Sequence, residues 1–169
     1  MNIDESLVLR AAHVSEAGVI ATISRLQVEY GLSWRWTPAR VKKQIHDRET
    51  MVLVASVSGV IEGFAIMKLL DDVAHMFLLA VQPKMHGQGI GRALVEWLVA
   101  SCRTAGIQRI RLEVRASNSA ARRFYERLDF RFISQVAGYY EKREAAAVMV
   151  KSCLLYTSPS PRDCGPDLV

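Results

Sequence analysis

The 169-residue sequence contains little that would hold a metal, a disulfide framework or a bilayer. It has three cysteines, Cys102, Cys153 and Cys164. They form no C-x-x-C pair and stand at no zinc-ligand spacing from a histidine, so neither a disulfide scaffold nor a metal site is expected. Free thiols of this kind suit a reducing cytosol. No apolar run approaches the ~20 residues that a membrane span needs, and the opening Met1 to Ser6 has no basic segment followed by an apolar core. A soluble, untargeted, cytoplasmic protein without a membrane partner is expected. Three of the five prolines fall in the last stretch, residues 156–169, where hydrophobic periodicity also stops. That tail is expected to be disordered or non-native, leaving residues 1–155 as one domain.

The rest of the chain is rich in what a core needs. Half of the residues are hydrophobic and 23% are charged, which suits one compact α/β domain. Lys and Arg number 22 against 17 acidic residues, a formal charge of +5, with clusters at Arg109/Arg111/Arg115 and Arg122/Arg123/Arg127. Basic surfaces of this size are ordinary solvated faces. They favour acidic ligands weakly, and with no groove-reading helix or stacking motif no direct nucleic-acid partner is expected.

Taken in order, Leu7 to Ala12 reads as a strand. Ser15 with Glu16 behind it caps a helix that carries Val19, Ile20, Ile23, Leu26 and Val28. Tyr30 to Trp36 is a loop whose Trp34 and Trp36 either line a groove or seal the helices onto the core. Thr37-Pro38 then starts a second helix through Val41 and Ile45. Met51 to Val57 and Val60 to Leu70 form a hairpin about Ser58-Gly59, and Ala74 to Val81 adds a third antiparallel strand. A helix follows, with Ile90, Leu94, Trp97, Leu98 and Ser101 on one period and Gly106 as its C-terminal cap. Arg109 to Arg115 alternates strictly, with Ile110, Leu112 and Val114 on one face and Glu113 among arginines on the other. Ser117 or Asn118 caps a last helix with Ala121, Phe124 and Leu128 facing inward. Phe130 to Tyr139 and Ala145 to Leu155 supply two final strands, both expected to be buried.

Between the third strand and the following helix lies His86-Gly87-Gln88-Gly89-Ile90-Gly91. Its glycines allow several N–H groups to converge on an anion at a helix N-terminus, the arrangement that suits a phosphate or pyrophosphate. A dinucleotide fingerprint fails on spacing, because its third glycine would fall on Arg92 or Leu94. A nucleotide-triphosphate loop fails because Gly91 is followed by Arg92-Ala93 rather than Lys-Ser/Thr. The strand, loop, helix, strand order makes a right-handed crossover with parallel strands and a ligand at their carboxyl ends.

The segment V-Q-P-K-M-H-G-Q-G-I-G-R-A-L, followed by L-E-V-R-A-S-N-S-A-A-R-R-F-Y-E-R-L-D-F, resembles the GNAT superfamily of N-acetyltransferases over residues 7–152. L-E-V-R-A-S-N, Gly138-Tyr139-Tyr140 and Ala147 to Val150 are most similar to the bacterial ribosomal-protein alanine N-acetyltransferases. Two positions depart from the pattern: His86 replaces Gln or Arg, with its backbone N–H still on offer, and Asp129 replaces glycine, where positive φ would cost a little stability.

The resemblance implies an α/β fold with a mixed sheet of about seven strands, about four helices and an antiparallel N-terminal meander. It implies acetyl-CoA as cosubstrate and no metal. Pantetheine would run along Leu79, Ala80 and Val81, the pyrophosphate would sit on His86, Gly87, Gln88, Gly89, Ile90, Gly91 and Arg92, and Asn118 and Ala121 would contact the arm. Glu113 matches the family's base, with a surface ion pair to Arg111 or Arg115 as the plainer reading of that carboxylate. Tyr125 matches its acid, against the plainer reading of a buried tyrosine, and the Val81 N–H would serve the oxyanion.

The implied acceptor is a primary amine, first of all the N-terminal amine of a ribosomal or other protein. A polyamine or aminoglycoside acceptor and a non-catalytic acyl-CoA sensor are the alternatives, and the protein is expected to be a monomer or homodimer. Asp71, Asp72 and His75 either approach this site or are structural, and Tyr139 and Tyr140 either wall an acceptor or pack a strand.

Overall fold

The computed structural model describes residues 6–154; the expectations for the tail and for a last strand reaching Leu155 lie outside them. Strands β1 (Leu7–Ala11), β2 (Thr50–Val57), β3 (Val60–Leu69), β4 (Val73–Val81), β5 (Arg109–Arg115), β6 (Arg131–Tyr140) and β7 (Glu144–Ser152) form one sheet in the order β1-β2-β3-β4-β5-β7-β6. Only β4 and β5 pair in parallel; the other pairings are antiparallel. Helices α1 (Ala17–Gln27) and α2 (Pro38–His46) cover one face, and α3 (Ile90–Ala105) and α4 (Ser119–Arg127) cover the other. This is the mixed sheet with four helices expected from the sequence.

Local chemistry accounts for the element boundaries. Ser58 and Gly59 both have positive φ, 51° and 82°, which suits a two-residue hairpin between twisted strands. Thr37 caps α2 by accepting from the Arg40 N–H, with Pro38 in the first turn. Gly106, at φ 76°, ends α3 with paired bonds from Gly106 N to Arg103 O and Ile107 N to Cys102 O.

The same motif closes α4, where Asp129 N donates to Glu126 O and Phe130 N to Tyr125 O. Asp129 takes the left-handed position, at φ 67°. Its carboxylate is exposed and 3.8 Å from the Lys151 ammonium, too weak a contact to offset the strain. Asp129→Gly should therefore raise stability by about 0.5–1 kcal/mol in urea unfolding, with an unchanged m-value.

Several helix and strand faces differ from the sequence reading. A short 3-10 turn, Val14–Glu16, precedes α1, and Glu16 reaches back to accept from the His13 N–H at 2.8 Å. The inward face of α1 is Ala17, Ile20, Ala21, Ile23 and Ser24, in which two isoleucines alternate with small residues. Val19 and Leu26 point to solvent instead. In α3 the buried row is Ile90, Leu94, Val95, Leu98, Val99 and Cys102, and Trp97 is exposed. Strand β6 lies at the sheet edge and is mostly exposed, because only β7 flanks it.

The irregularity with the greatest consequence was not visible in the sequence. Ile66 pairs with Leu78 and Met67 with Met76, so Phe77 is an extra residue in β4. This bulge switches faces: Ala74, Met76, Leu79 and Val81 pack toward α3, whereas Phe77, Leu78 and Ala80 pack toward α1. It also falls where β4 and β5 part. Their pairing runs from Val73↔Arg109 to Met76↔Leu112 and then stops, although both strands continue.

Candidate active site

Beyond Met76 and Leu112 the separated strands frame a cleft lined by Leu79, Glu113, Asn118, Ala121 and Tyr125. Gln82 N donates to Glu62 O on β3, so by alternation the amides of Val81 and Leu79 face away from β3, into this cleft. Their N–H and C=O groups are an exposed strand edge available to an extended ligand. Ala80 turns its amide back toward β3. The Val81 carbonyl is already approached by His86 Nε2 at 2.7 Å, which leaves the N–H as its free group.

At the carboxyl end of β4 the chain makes a 3-10 turn, Pro83–Met85, and enters the glycine loop. The His86 N–H donates to Pro83 O, so it is committed to the turn rather than offered to a ligand, which corrects the sequence expectation for that group. No N–H from Gly87 to Arg92 makes a hydrogen bond of ordinary geometry with the described residues. Gly87 and Gly89 hold φ of 75° and 86°, a conformation that costs little only for glycine. At Gly91 an added Cβ would lie 3.0 Å from the Phe124 ring, so this glycine lets α4 pack against the start of α3. Six N–H groups without an acceptor among the described residues, at a helix N-terminus, are the chemistry of an anion cradle.

Helix α4 supplies the opposite wall. Asn118 caps it through Oδ1, which accepts from Ala121 N at 3.1 Å, so the cap is Asn118 rather than Ser117. The Asn118 amide nitrogen remains for a ligand, whereas the Ala121 N–H is spent on the cap. Two turns on, Tyr125 is buried among Phe124, Phe130 and the sheet, with edge-on ring contacts at 5.1 and 5.3 Å. Its hydroxyl makes no hydrogen bond among the described residues, and burial pushes its pKa well above the usual tyrosine range.

Glu113 stands on the polar face of β5, yet its side chain is only 7% exposed. The α1–α2 loop and the β6–β7 hairpin wall the cavity that Glu113 lines, and the alternation of β5 could reveal neither. Burial by itself would raise the Glu113 pKa. Burial is the largest single influence, but the hydrogen bond from His75, the charges of His75 and Arg111 and the Arg111 hydrogen bond together outweigh it and hold the carboxyl below its ordinary value. His75 Nε2 lies 2.5 Å from Oε2, and Arg111 Nε 3.0 Å from Oε1. The ion pair with Arg111 is therefore real. Arg115 is engaged elsewhere, donating to the Val28 and Tyr30 carbonyls and tying the end of α1 to the sheet.

His75 is the site residue that sequence reasoning left undecided. The register His75↔Arg111 sets it on the face of Glu113, and that register is invisible before the strands are paired. Asp71 and Asp72 line neither the cleft nor the adjoining cavity.

On the α1–α2 face a second cavity of about 450 Å³ opens beside the cleft, with Val28, Glu113, Phe77, Leu78 and Tyr140 common to both. One wall is the α1–α2 loop, ordered by Glu29, whose carboxylate accepts from Arg35 N, Trp36 N and Ser24 Oγ. The other wall is the β6–β7 hairpin, held to the loop by a bond from Ser33 N to Glu141. Trp36 is buried and also lines this cavity, so both readings offered for it apply; Trp34 is a packing residue that donates to Ala21 O. Glu113 thus lines both openings, one that adjoins Asn118 and Tyr125 and one between the loop and the hairpin.

Residues 20–130 match the model of the acetyltransferase (GNAT) family. The chain belongs to this family. It is 40% identical over 95 residues to the [ribosomal protein bS18]-alanine N-acetyltransferase of Escherichia coli, a match that covers 54% of this chain and 64% of that relative. The chain thus spans less than two thirds of that relative's length. Among solved structures, the ribosomal-protein-S18-alanine N-acetyltransferase of E. coli superposes with a TM-score of 0.77 at 25% identity, covering 91% of this chain and 98% of that one. The PaiA N-acetyltransferase of Thermoplasma acidophilum in complex with coenzyme A superposes at 0.76 with 18% identity, covering 87% and 99%, and shares the fold. Among the described residues no His/Cys/Asp/Glu group is placed to hold a metal ion, and no helix is long and apolar enough to cross a membrane.

Proposed function

We propose that the protein is an N-acetyltransferase that moves an acetyl group from acetyl-CoA to a primary amine, the N-terminal α-amine of a protein. The observation that carries this reading is the parting of β4 and β5 after Met76 and Leu112, with the glycine loop at the end of the opening and Glu113 and Tyr125 inside it. Coenzyme A needs an anion cradle for its pyrophosphate and hydrogen-bonding partners for its amide arm. Gly87 to Arg92 fit the first, and the edge of Leu79 and Val81 with the Asn118 amide fits the second. Bound acetyl-CoA would supply an activated acetyl thioester.

The residues then divide the work. The acceptor amine must lose a proton, and an α-amine has a pKa of only about 8, so the demand on a base is modest. Because Glu113 stays ionised, it is a poor base acting alone; with His75 it forms a pair that attracts the ammonium and accepts its proton directly or through water. The amine nitrogen forms a bond to the carbonyl carbon while the carbon–sulfur bond breaks. The Val81 N–H faces the charge that develops on the carbonyl oxygen. The electron pair leaves on sulfur, which takes a hydrogen bond and then a proton from the Tyr125 hydroxyl, and the proton released by the amine returns to Tyr125 through solvent. Burial keeps that hydroxyl protonated at every working pH, so the donor is always present.

An N-terminal α-amine is favoured over a small amine by the shape of the acceptor side, a groove open between a loop and a hairpin rather than an enclosed chamber. A ribosomal protein is the first acceptor to test, because of the E. coli relatives. Thiol release from acetyl-CoA should be followed with Ala-initiated peptides and with a panel of polyamines and aminoglycosides. Release with the peptides is the expected result. Release only with small amines would replace the acceptor, and tight CoA binding without turnover on any amine would support the sensor reading.

A further inference from the structure

A continuous row of ring contacts runs along the acceptor groove. The Arg40 guanidinium lies 3.9 Å above the Trp36 ring, Trp36 is 5.7 Å from Phe77, Phe77 is 4.7 Å from His75, and His75 bonds to Glu113. All five residues line the same cavity, with an anion at the catalytic end and a cation at the far end.

The carboxylates of the groove are already answered. Glu29 accepts from two backbone N–H groups and a serine hydroxyl, Glu113 is held by His75 and Arg111, and Glu141 accepts from Ser33 N with Arg35 close enough to lower its pKa. Arg35 and Arg40 are both exposed and have no carboxylate within ion-pair distance among the described residues, and of the two it is Arg40 that lies over an aromatic ring. Stacking on a buried indole restricts its side chain, so little further entropy is lost when it binds an anion.

We propose that Arg40 reads an acidic side chain near the start of the acceptor peptide, so that this enzyme selects N-termini carrying Asp or Glu within their first four residues. This rests on the acetyltransferase reading above. With its α-amine at Glu113, an extended peptide rises roughly 3.3 Å per residue, and the contacts of 4.7, 5.7 and 3.9 Å from His75 to Arg40 limit the reach to roughly four residues. A carboxylate there meets a planar, pre-oriented guanidinium. A lysine there meets a like charge, so the groove disfavours basic N-termini as well as favouring acidic ones.

The test uses the full chain with acetyl-CoA and Ala-initiated peptides carrying Glu, Gln or Lys at positions 2, 3 and 4. The expected result is a KM about 3- to 10-fold lower for the best Glu peptide than for its Gln counterpart, with kcat similar, and a higher KM for Lys. In Arg40→Gln the Glu-to-Gln ratio should fall to about one. In Arg40→Glu the preference should invert toward Lys, and Arg40→Lys should keep part of it. A role for Arg40 in packing alone would change all peptides equally and invert nothing. Equal kcat/KM for Glu, Gln and Lys peptides in the wild type would overturn the inference while leaving the function intact. Absence of acetyl transfer to every peptide would instead overturn the reading on which it rests.

Discussion

Glu113→Gln is expected to lower kcat/KM by about 10²- to 10⁴-fold, the range for loss of a positioned acid–base group. The amide preserves size and leaves β5 paired, but it cannot hold an ammonium or orient His75 as the carboxylate does. Because Glu113 and His75 share one hydrogen bond at 2.5 Å, their effects should not add. Glu113→Gln combined with His75→Phe should cost little more than the worse of the two singly. Phenylalanine preserves the contact with Phe77, so the cycle reads the hydrogen bond rather than the stack. Free additivity would mean that the two residues act independently.

The same substitution has a signature in stability. The Glu113 carboxyl lies below its ordinary value in the folded protein, because the bond from His75 and the neighbouring cations outweigh burial. A depressed carboxyl stabilises the fold above its unfolded pKa of about 4.3, and that stabilisation is lost as pH falls through the lower folded value. The stability difference between wild type and Glu113→Gln should therefore be constant from neutral pH down to about 4.3 and shrink below it. A difference that instead shrank between pH 7 and 5 would mean that the carboxyl is raised rather than lowered.

Tyr125→Phe is expected to reduce kcat by about 10²-fold or more with acceptor KM little changed, since the hydroxyl meets the sulfur mainly as the bond breaks. Folding should survive, because the ring keeps its contacts with Phe124 and Phe130 and the lost hydroxyl had no protein partner among the described residues. The pH profile separates this from a packing effect. Burial holds the phenol protonated throughout the working range, so kcat/KM should climb with pH through the acceptor amine's pKa without an alkaline fall from Tyr125 below about 10. The variant should lie lower but keep the same shape. Unchanged kcat would remove Tyr125 from the proton path.

The sequence carried most of the fold because local chemistry agreed with the tertiary structure. Ser58-Gly59 dictated a hairpin, Thr37-Pro38 a helix start, Gly106 a helix end, and the alternation of Arg109 to Arg115 a strand with one apolar face. The glycine loop declared itself for the same reason, since positive φ at Gly87 and Gly89 demands the residue found there.

Features set by distant contacts were not legible. The extra residue at Phe77 exists only relative to β3, so apolar Ala74 to Val81 gave no hint that its faces switch midway. The cavity that Glu113 lines is walled by a loop and a hairpin remote in sequence, and His75 gained its partner only through the β4–β5 register. The exposure of β6 followed from its place at the edge, which its composition of Phe132, Ile133 and Val136 argued against. His86 looked able to lend a backbone N–H, but the preceding 3-10 turn consumes it.

The central claim is that the opened β4–β5 pair brings an acetyl donor from one side and a protein N-terminus from the other to Glu113 and Tyr125. Its most direct test is fragment-ion mass spectrometry of an Ala-initiated peptide that also contains lysine, after incubation with the protein and isotopically labelled acetyl-CoA. One heavy acetyl group on the α-amine, with none on the lysine and none when Tyr125→Phe replaces the wild type over the same interval, is the predicted result. Label on the lysine alone, or an unlabelled peptide beside a turnover-competent small amine, would contradict it.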